Sequence, residues 1–219
     1  MAIERAFMRV VRKPWGSSDL LPWRAIPPVD GAVGELWFER ADSHAPETAL
    51  LLKLVFTTQP LSIQVHPDDA FARSLGQDHG KAEAWYFLSA RPGAQVAIGL
   101  NGPLTPPQLR TVIEDRCIAE RIQWCDVLKG DVVCIPAGTI HAIGAGLVVA
   151  EIQRRSDVTF RLFDYGRTRV NCMLTRRSPQ RKWLPFPRKR RRARRGFAGH
   201  SIIRSFSRSA SCLPTRGSR

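Results

Sequence analysis

Four side chains that can bind a divalent metal ion lie in strand-like parts of the sequence. Gln64 and His66 are separated by one residue, so on a β-strand both side chains would lie on the same face. Glu83 opens the next strand-like segment, and His141 follows a tight Pro-Ala-Gly-Thr turn. Imidazoles and a carboxylate suit zinc, iron or manganese, and three or four protein ligands leave room for water or substrate. The sequence therefore predicts a metal site of the catalytic type.

Each histidine also has an ordinary structural interpretation. An isolated strand histidine such as His66 is more often a hydrogen-bonded core or surface residue than a metal ligand. His141 is the stronger candidate, because it ends a Gly-x5-Pro-x-Gly-x2-His pattern. His79 is a rival ligand four residues before Glu83, but we interpret it as a solvated loop residue. The remaining histidines are interpreted as loop or tail residues: His44 and His200.

The elements that must position these groups are mostly short segments of strand character, separated by Gly, Pro, Asp or Asn. They are 34–40, 49–56, 61–67, 83–89, 94–100, 131–138, 139–144, 147–153 and 158–164. Two helices are predicted: DAFARSLG, capped by Asp68, and a longer one over PQLRTVIEDRCIAERI, opened by Thr105 and two prolines. The first 30 residues, rich in Pro and Trp, are expected to be irregular. Many strands with few helices indicate an all-β antiparallel sandwich or barrel.

Composition argues against a membrane-spanning or secreted protein. No apolar run approaches the roughly 20 residues that a membrane helix needs. The first residues carry scattered charges and no apolar stretch, so we expect no signal peptide. The five cysteines are widely spaced and form no Cys-x-x-Cys pair, which predicts free, buried thiols in a reducing compartment. We therefore expect a cytoplasmic protein.

Charge is divided unequally along the chain. All 19 acidic residues and 18 of the 34 basic residues lie in residues 1–167, so this part is nearly neutral and residues 168–219 carry the positive charge. We expect a folded domain over 1–167 and a basic, disordered or poorly packed tail over 168–219. The block KRRRARR would permit contacts with nucleic-acid phosphates. The tail has no recognisable nucleic-acid-binding fold, however, so nucleic acid is not the expected partner.

Several motifs in the first part together resemble one enzyme family. LSIQVHPDD, GKAEAWYFL, GDVVCIPAGTIHAIG and EIQRRSDVTFRLFDYGR occur in this order and closely resemble type I mannose-6-phosphate isomerases in their shorter bacterial form. RKPWGSSDLLPW and GELWF are similar to the beginning of that family, so the resemblance covers about residues 8–167. The stretch from Gly130 to His141 also fits the second metal motif of cupins, although Ala145 replaces the usual Asn. The resemblance implies a cupin-type jelly-roll β-barrel with a few short helices.

The resemblance also implies an activity, the zinc-dependent interconversion of mannose 6-phosphate and fructose 6-phosphate, with a sugar phosphate as the bound partner. The family's metal ligands fall on Gln64, His66, Glu83 and His141. Its other pocket residues fall on Arg161, Lys81, Ser62 and Glu151. Taken singly, the last three could also be an exposed loop lysine, a strand serine and an acid on a strand face. The resemblance is what favours their functional roles.

The chemistry of such an isomerase requires separate groups. The reaction moves a proton between C1 and C2 through a cis-enediol, and a metal can polarise the carbonyl and stabilise the enediolate. An acid–base group must carry the proton; Lys81 and Glu151 are both candidates, and the sequence does not decide between them. Arg161 either positions the substrate and meets its charge or forms a structural salt bridge with Asp157 or Asp164.

Three functions are compatible with the sequence. We favour a metal-dependent sugar-phosphate isomerase. The alternative is a non-catalytic metal- or sugar-binding cupin, an inactive truncated isomerase, because the resemblance ends at Arg167 where family members continue with ordered β-structure. We hypothesise that the reading frame shifts near residue 168, which resequencing of the gene would test. A basic nucleic-acid-binding protein is the third possibility, and it ranks last.

Overall fold

The computed structural model of the protein describes residues 5–20, 31–42, 44–156, 158–167 and 191–192. The strands are β1 Ala6–Ser17, β2 Val33–Arg40, β3 Leu50–Thr57, β4 Ile63–Val65, β5 Glu83–Ala90, β6 Gln95–Leu100, β7 Ile122–Asp126, β8 Asp131–Ile135, β9 His141–Ile143, β10 Leu147–Arg154, β11 Phe160–Phe163 and β12 Arg191–Arg192. The helices are α1 Asp69–Ser74, α2 Pro106–Glu114 and α3 Ile118–Arg121. Strands dominate these residues, which confirms the predicted all-β class.

The strands form two antiparallel sheets. The larger sheet has the strand order β1-β2-β3-β10-β5-β8-β12, and the smaller one has the order β11-β4-β9-β6-β7. Neighbours in each sheet are often far apart in sequence, since β3 pairs with β10 and β4 pairs with β9. This architecture confirms the predicted cupin-type β fold.

Apolar residues on alternating strand positions form the core that joins the two sheets. It contains buried side chains from both: Val55, Trp85, Phe87, Ile135 and Val149 from the larger sheet, and Val96, Ile98 and Ile143 from the smaller. A second cluster packs α2 and α3 against the other face of the smaller sheet, through residues such as Leu109, Ile113, Ile118, Ala142 and Leu162. Polar side chains that point inward among these apolar residues are therefore unusual.

The helices begin as the sequence predicts, but the longer one is shorter than expected. Asp68 caps α1 by accepting a hydrogen bond from the backbone N–H of Phe71, and Thr105 caps α2 in a capping box. The continuous helix predicted beyond Thr105 is wrong, because α2 ends at Glu114. Arg116 adopts a left-handed φ of 60°, which interrupts the helix before α3 begins, and β7 then takes the residues after Arg121.

The N-terminal segment is also more regular than predicted, because residues 6–17 form β1, an edge strand paired with β2. Met8 and Val10 pack toward an apolar cluster on one face of the larger sheet, while Arg9 lies on the opposite face, as strand alternation requires. Pro14 is tolerated because an edge strand need not donate every backbone hydrogen bond. The pairing register is broken between Arg12 and Ser17, around this proline. Residues 21–30, also predicted to be irregular, lie outside the described residues.

Three predictions concern thiols, membranes and the tail. The described cysteines Cys117, Cys125 and Cys134 are free, but the prediction that they are buried is wrong, because Cys134 is exposed and the other two are partly exposed. Among the described residues, no helix is long and apolar enough to cross a membrane. The tail, with His200, lies outside the described residues except for β12, which pairs with β8. The division at residue 168 therefore stays a prediction.

Candidate metal centre

Three strands bring the predicted metal ligands together where the two sheets meet. Gln64 lies on β4 and is the cross-strand partner of His141, the first residue of β9. His66 follows β4, and Glu83 is the first residue of β5 in the other sheet. The cluster therefore depends on the packing of one sheet against the other, with three candidate ligands from the smaller sheet and one from the larger.

The ligand atoms converge within a small volume. One side-chain ligand atom from each of His66, Glu83 and His141 lies within 4.8 Å of the others, and all three residues are buried. His66 Nε2 is 3.1 Å from Glu83 Oε1, and His141 Nε2 is 3.8 Å from Glu83 Oε2. The side-chain nitrogen of Gln64 lies 3.4 Å from His141 Nε2. Half a turn of this amide would present its oxygen, a possible metal ligand, to the same position.

Both imidazoles are oriented through their other ring nitrogen. Nδ1 of His141 donates to the backbone carbonyl of Thr139 at 2.9 Å, within the tight turn that precedes β9. Nδ1 of His66 donates to the carbonyl of Val158 at 3.2 Å, and the Thr159 hydroxyl lies 3.3 Å from the same nitrogen. A proton on Nδ1 leaves the Nε2 lone pair of each neutral ring directed at the cluster, as metal-binding histidines require.

The pKa values of the clustered side chains favour the protonation states in which they can bind a metal. Burial, reinforced by the charge of Lys81, lowers the pKa of His66 to about 4, and burial also lowers the pKa of His141. Burial opposes ionisation of Glu83, but the charge of Lys81 and the contact with His66 outweigh it and hold the pKa of Glu83 well below its usual range. At neutral pH the cluster therefore contains two neutral imidazoles and one carboxylate, which are competent ligands without further loss of protons.

An unsatisfied polar atom supports the fit between these residues and a divalent metal. His66 Nε2 is buried and has no hydrogen-bond partner of good geometry, although Glu83 Oε1, which Lys81 contacts, lies 3.1 Å away. A buried polar atom without a partner is costly and rare in proteins, and a bound cation would satisfy it. The second oxygen of Glu83 is held by the indole N–H of Trp85 at 3.0 Å. The donor set of two imidazoles, a carboxylate and an amide suits zinc among several metals.

Lys81 and Glu151 lie beside the cluster and differ in their electrostatics. Lys81 Nζ is 2.9 Å from Glu83 Oε1, and the lysine is buried, so the alternative of an exposed loop lysine is wrong. Burial favours the neutral form of Lys81, but the negative charges of Glu83 and Glu151 outweigh it and raise its pKa. Burial, together with the charge of Glu83, raises the pKa of Glu151 to about 7. Glu151 is thus the group that changes protonation near neutral pH.

Ser62 and Arg161 occupy different depths. The buried Ser62 hydroxyl donates to the Gln64 side-chain oxygen at 3.4 Å. Arg161 is exposed and is the cross-strand partner of Gln64, so its side chain leaves the same sheet face at the rim of the site. Of the two salt-bridge partners considered for Arg161, Asp164 pairs with Arg167 at 3.0 Å, and Asp157 lies outside the described residues.

Two charged residues of the site were missed in the sequence. Lys53 Nζ lies 3.6 Å from Glu151 Oε1 and 3.7 Å from Glu35 Oε2, and all three side chains are at least mostly buried. A signal existed, because Lys53 is an isolated charge within the apolar run LLLKLVF. Its partners could not be read from the sequence, since β2, β3 and β10 are brought together only by the sheet. The exposed His44 and His79 lie apart from the cluster, in loops as predicted.

Comparison with known proteins gives a consistent result. No protein-family model matches the chain. The mannose-6-phosphate isomerase ManA of Bacillus subtilis is 40% identical over 119 residues, which are 54% of this chain and 38% of the relative. The mannose-6-phosphate isomerase of Streptococcus mutans is 37% identical over 118 residues, covering 54% of this chain and 37% of the relative. Over about half of its own length, this chain is therefore similar to mannose-6-phosphate isomerases. It spans less than half the length of these relatives.

Solved isomerase structures have the same fold. The mannose 6-phosphate isomerase of Bacillus subtilis superposes with a TM-score of 0.67 at 25% identity, over 74% of this chain and 61% of that chain. A zinc-bound mannose 6-phosphate isomerase superposes with a TM-score of 0.56 at 14% identity, over 77% of this chain and 72% of that one. The second likeness concerns the fold alone.

Proposed function

We propose that the chain is a metal-dependent aldose–ketose isomerase that interconverts mannose 6-phosphate and fructose 6-phosphate through a cis-enediol. The observation that carries this proposal is the buried cluster of His66, Glu83 and His141 beside Glu151, whose pKa of about 7 suits proton transfer. The names of the relatives support the choice of substrate. The likeness covers less than half of each relative, so activity of this chain is part of the proposal.

Zinc is the metal that we propose, held by Gln64, His66, Glu83 and His141. A zinc-bound neighbour of the same fold and the mixed nitrogen and oxygen donors support this choice. When bound, zinc would supply Lewis-acid chemistry, polarising the sugar carbonyl and stabilising negative charge on the enediolate oxygens.

Glu151 is the group that we propose to carry the proton between C1 and C2. A catalytic acid–base group works best when its pKa is close to the operating pH, and burial brings the pKa of Glu151 to about 7. The raised pKa of Lys81 keeps this lysine charged, and its contact with Glu83 at 2.9 Å occupies it. Lys81 therefore suits a role as hydrogen-bond donor to a substrate oxygen, and Lys53 places a second positive charge beside Glu151.

The outer residues of the site suit recognition of the phosphate and support of the ligands. Arg161 lies exposed at the rim, and a guanidinium group matches the geometry of phosphate oxygens. After the half turn that presents the Gln64 oxygen to the metal, the Ser62 hydroxyl would accept from the Gln64 amide N–H₂ group and so orient it. A phosphorylated sugar is a charged molecule that membranes retain, which supports a cytoplasmic location for the protein. We propose no role for the basic tail in binding nucleic acid.

A coupled assay with mannose 6-phosphate tests the proposed function. The purified full chain should produce fructose 6-phosphate, lose this activity after a chelator is added, and regain it on addition of Zn²⁺. Variant Glu151→Gln should lose at least about 100-fold in kcat, while the control Glu114→Gln, at an exposed position of α2, should keep full activity. Metal binding without turnover would support the non-catalytic cupin instead. Salt-dependent DNA binding that is lost on deletion of residues 168–219 would support a nucleic-acid-binding role.

A further inference from the structure

A single tryptophan, Trp37, separates a surface arginine from the buried Lys53. Trp37 on β2 is the cross-strand partner of Arg9 on β1 and of Lys53 on β3, so the three side chains form one row on the same sheet face. The Arg9 guanidinium carbon lies 4.2 Å from the centre of the indole ring. Lys53 Nζ lies 4.4 Å from it. Both distances are within the range of cation–π attraction.

The ammonium group of Lys53 is balanced between two carboxylates. It lies 3.7 Å from Glu35 Oε2 and 3.6 Å from Glu151 Oε1. Both distances exceed those of a good N–H to oxygen hydrogen bond, although the lysine is only 7% exposed. A buried ammonium beside two carboxylates would normally move into hydrogen-bond contact with one of them. A further contact is therefore needed to keep the ammonium group of Lys53 between the two carboxylates.

Trp37 acts on this balance in two ways. Its indole N–H donates to Glu35 Oε2, the same oxygen that faces Lys53. This hydrogen bond competes with Lys53 for that oxygen. At the same time the face of the ring attracts the ammonium group directly. On the other side, Arg9 is held by Glu39 at 3.0 Å and packs against the ring, so the indole is supported from the surface.

We propose that Trp37 is a positioning residue that keeps Lys53 within reach of Glu151 by preventing it from closing onto Glu35. This inference rests on the proposed function, in which Glu151 carries the proton. Lys53 then presents its unused N–H groups to the space beside Glu151, where a sugar oxygen that gains negative charge would accept them. Without the indole, Lys53 pairs with Glu35, and Glu151 keeps only Lys81 as a cationic neighbour.

Steady-state kinetics of the full chain with Zn²⁺ test the proposal. Trp37→Leu removes both the ring and its N–H, and kcat should fall about 5-fold to 30-fold with KM changed less than about 2-fold, a range that corresponds to the strength of a desolvated cation–π contact. Trp37→Phe keeps an aromatic face and should recover part of kcat. The matched control is Trp124→Leu, which removes a partly buried tryptophan from the other apolar cluster and should leave kcat unchanged at temperatures below its melting point. An unchanged kcat in Trp37→Leu, or an equal loss in Trp124→Leu, overturns the proposal.

A second measurement is independent of turnover. Limited acetylation of the full chain, read by mass spectrometry at each lysine, reports how well each ammonium is held. In Trp37→Leu, the acetylation rate of Lys53 should rise by about 5-fold or more, because no ring covers its ammonium group, and in Trp37→Phe the rise should be smaller. The rate at the exposed Lys129 should stay constant. If the wild type has no isomerase activity, the proposed function fails, and unchanged labelling of Lys53 then separately overturns the positioning role of Trp37.

Discussion

Replacement of His66 by alanine should abolish most of the stabilisation that a metal gives to the protein. His66 is 1% exposed, and its Nε2 is one of the three clustered ligand atoms. His66→Ala leaves Glu83 paired with Lys81 and leaves His141 oriented by Thr139. The substitution therefore removes one ligand without leaving an unpaired buried charge.

The expected size of the effect follows from binding linkage. Free Zn²⁺ at about 100 times its dissociation constant stabilises the folded protein by about 2.7 kcal/mol. For a chain of this size, 1 kcal/mol raises Tm by about 2–4 °C, so the wild type should gain roughly 5–10 °C. Loss of a residue that only supports a metal ligand lowers metal affinity by about 10-fold to 100-fold. For the loss of the ligand His66 itself we use the upper value, about 100-fold. A 100-fold loss at the same Zn²⁺ concentration leaves about 0.4 kcal/mol, or roughly 1–2 °C.

Differential scanning calorimetry with Zn²⁺ and with a chelator measures this difference within each variant. The comparison is made within one variant because His66→Ala also loses the hydrogen bond from Nδ1 to Val158, which costs about 1–3 kcal/mol in either condition. The matched control is His79→Ala, since His79 is an exposed loop histidine four residues from Glu83. The reasoning is refuted if His66→Ala keeps the full Zn²⁺-dependent rise, or if His79→Ala loses it.

Three further predictions concern the acid–base group, the rim and the tail. Glu151→Gln should lower kcat by about 10²-fold to 10⁴-fold. In the wild type, kcat/KM should rise with pH through about 7 and level off above it, because the base must be deprotonated. A pH profile without this rise would contradict the assignment of Glu151 as the base. Arg161→Ala should raise KM for mannose 6-phosphate by at least about 10-fold. Its Tm should be unchanged, since the side chain is exposed. Equal activity of the wild type toward mannose 6-phosphate and unphosphorylated mannose would argue against phosphate recognition. Truncation after Arg167 removes β12 but no candidate ligand. The Zn²⁺-dependent rise in Tm, measured by calorimetry, should therefore persist. If the truncated chain lacks this rise, the metal site depends on the tail.

Most of the candidate site can be predicted from local spacing together with the family resemblance. Residues i and i+2 on a strand share a face, so Gln64 and His66 could be paired from the sequence alone. The turn before His141 and the strand that Glu83 opens are also local features. The caps Asp68 and Thr105 were readable for the same reason, because a helix N-terminus is defined within a few residues.

Some predictions failed where a local pattern was incomplete. The apolar periodicity after Thr105 continues through residues that form α3, yet Arg116 takes a left-handed conformation and breaks the helix. The N-terminal prolines and tryptophans obscured the alternation of β1, which becomes regular only by pairing with β2. For β1, pairing with another strand decided the outcome.

By itself, the sequence predicted the all-β class and showed the separation of a nearly neutral part from a basic tail. With the family resemblance, it also named the candidate ligands of the metal site. Only the tertiary structure decided that Lys53 lies between Glu35 and Glu151 with Trp37 against it, because their strands are neighbours through long-range pairing. It also gave Lys81 and Glu151 different protonation behaviour, which the sequence did not show. The physical reason is that burial and neighbouring charge set a pKa, and both depend on which sheets enclose the residue.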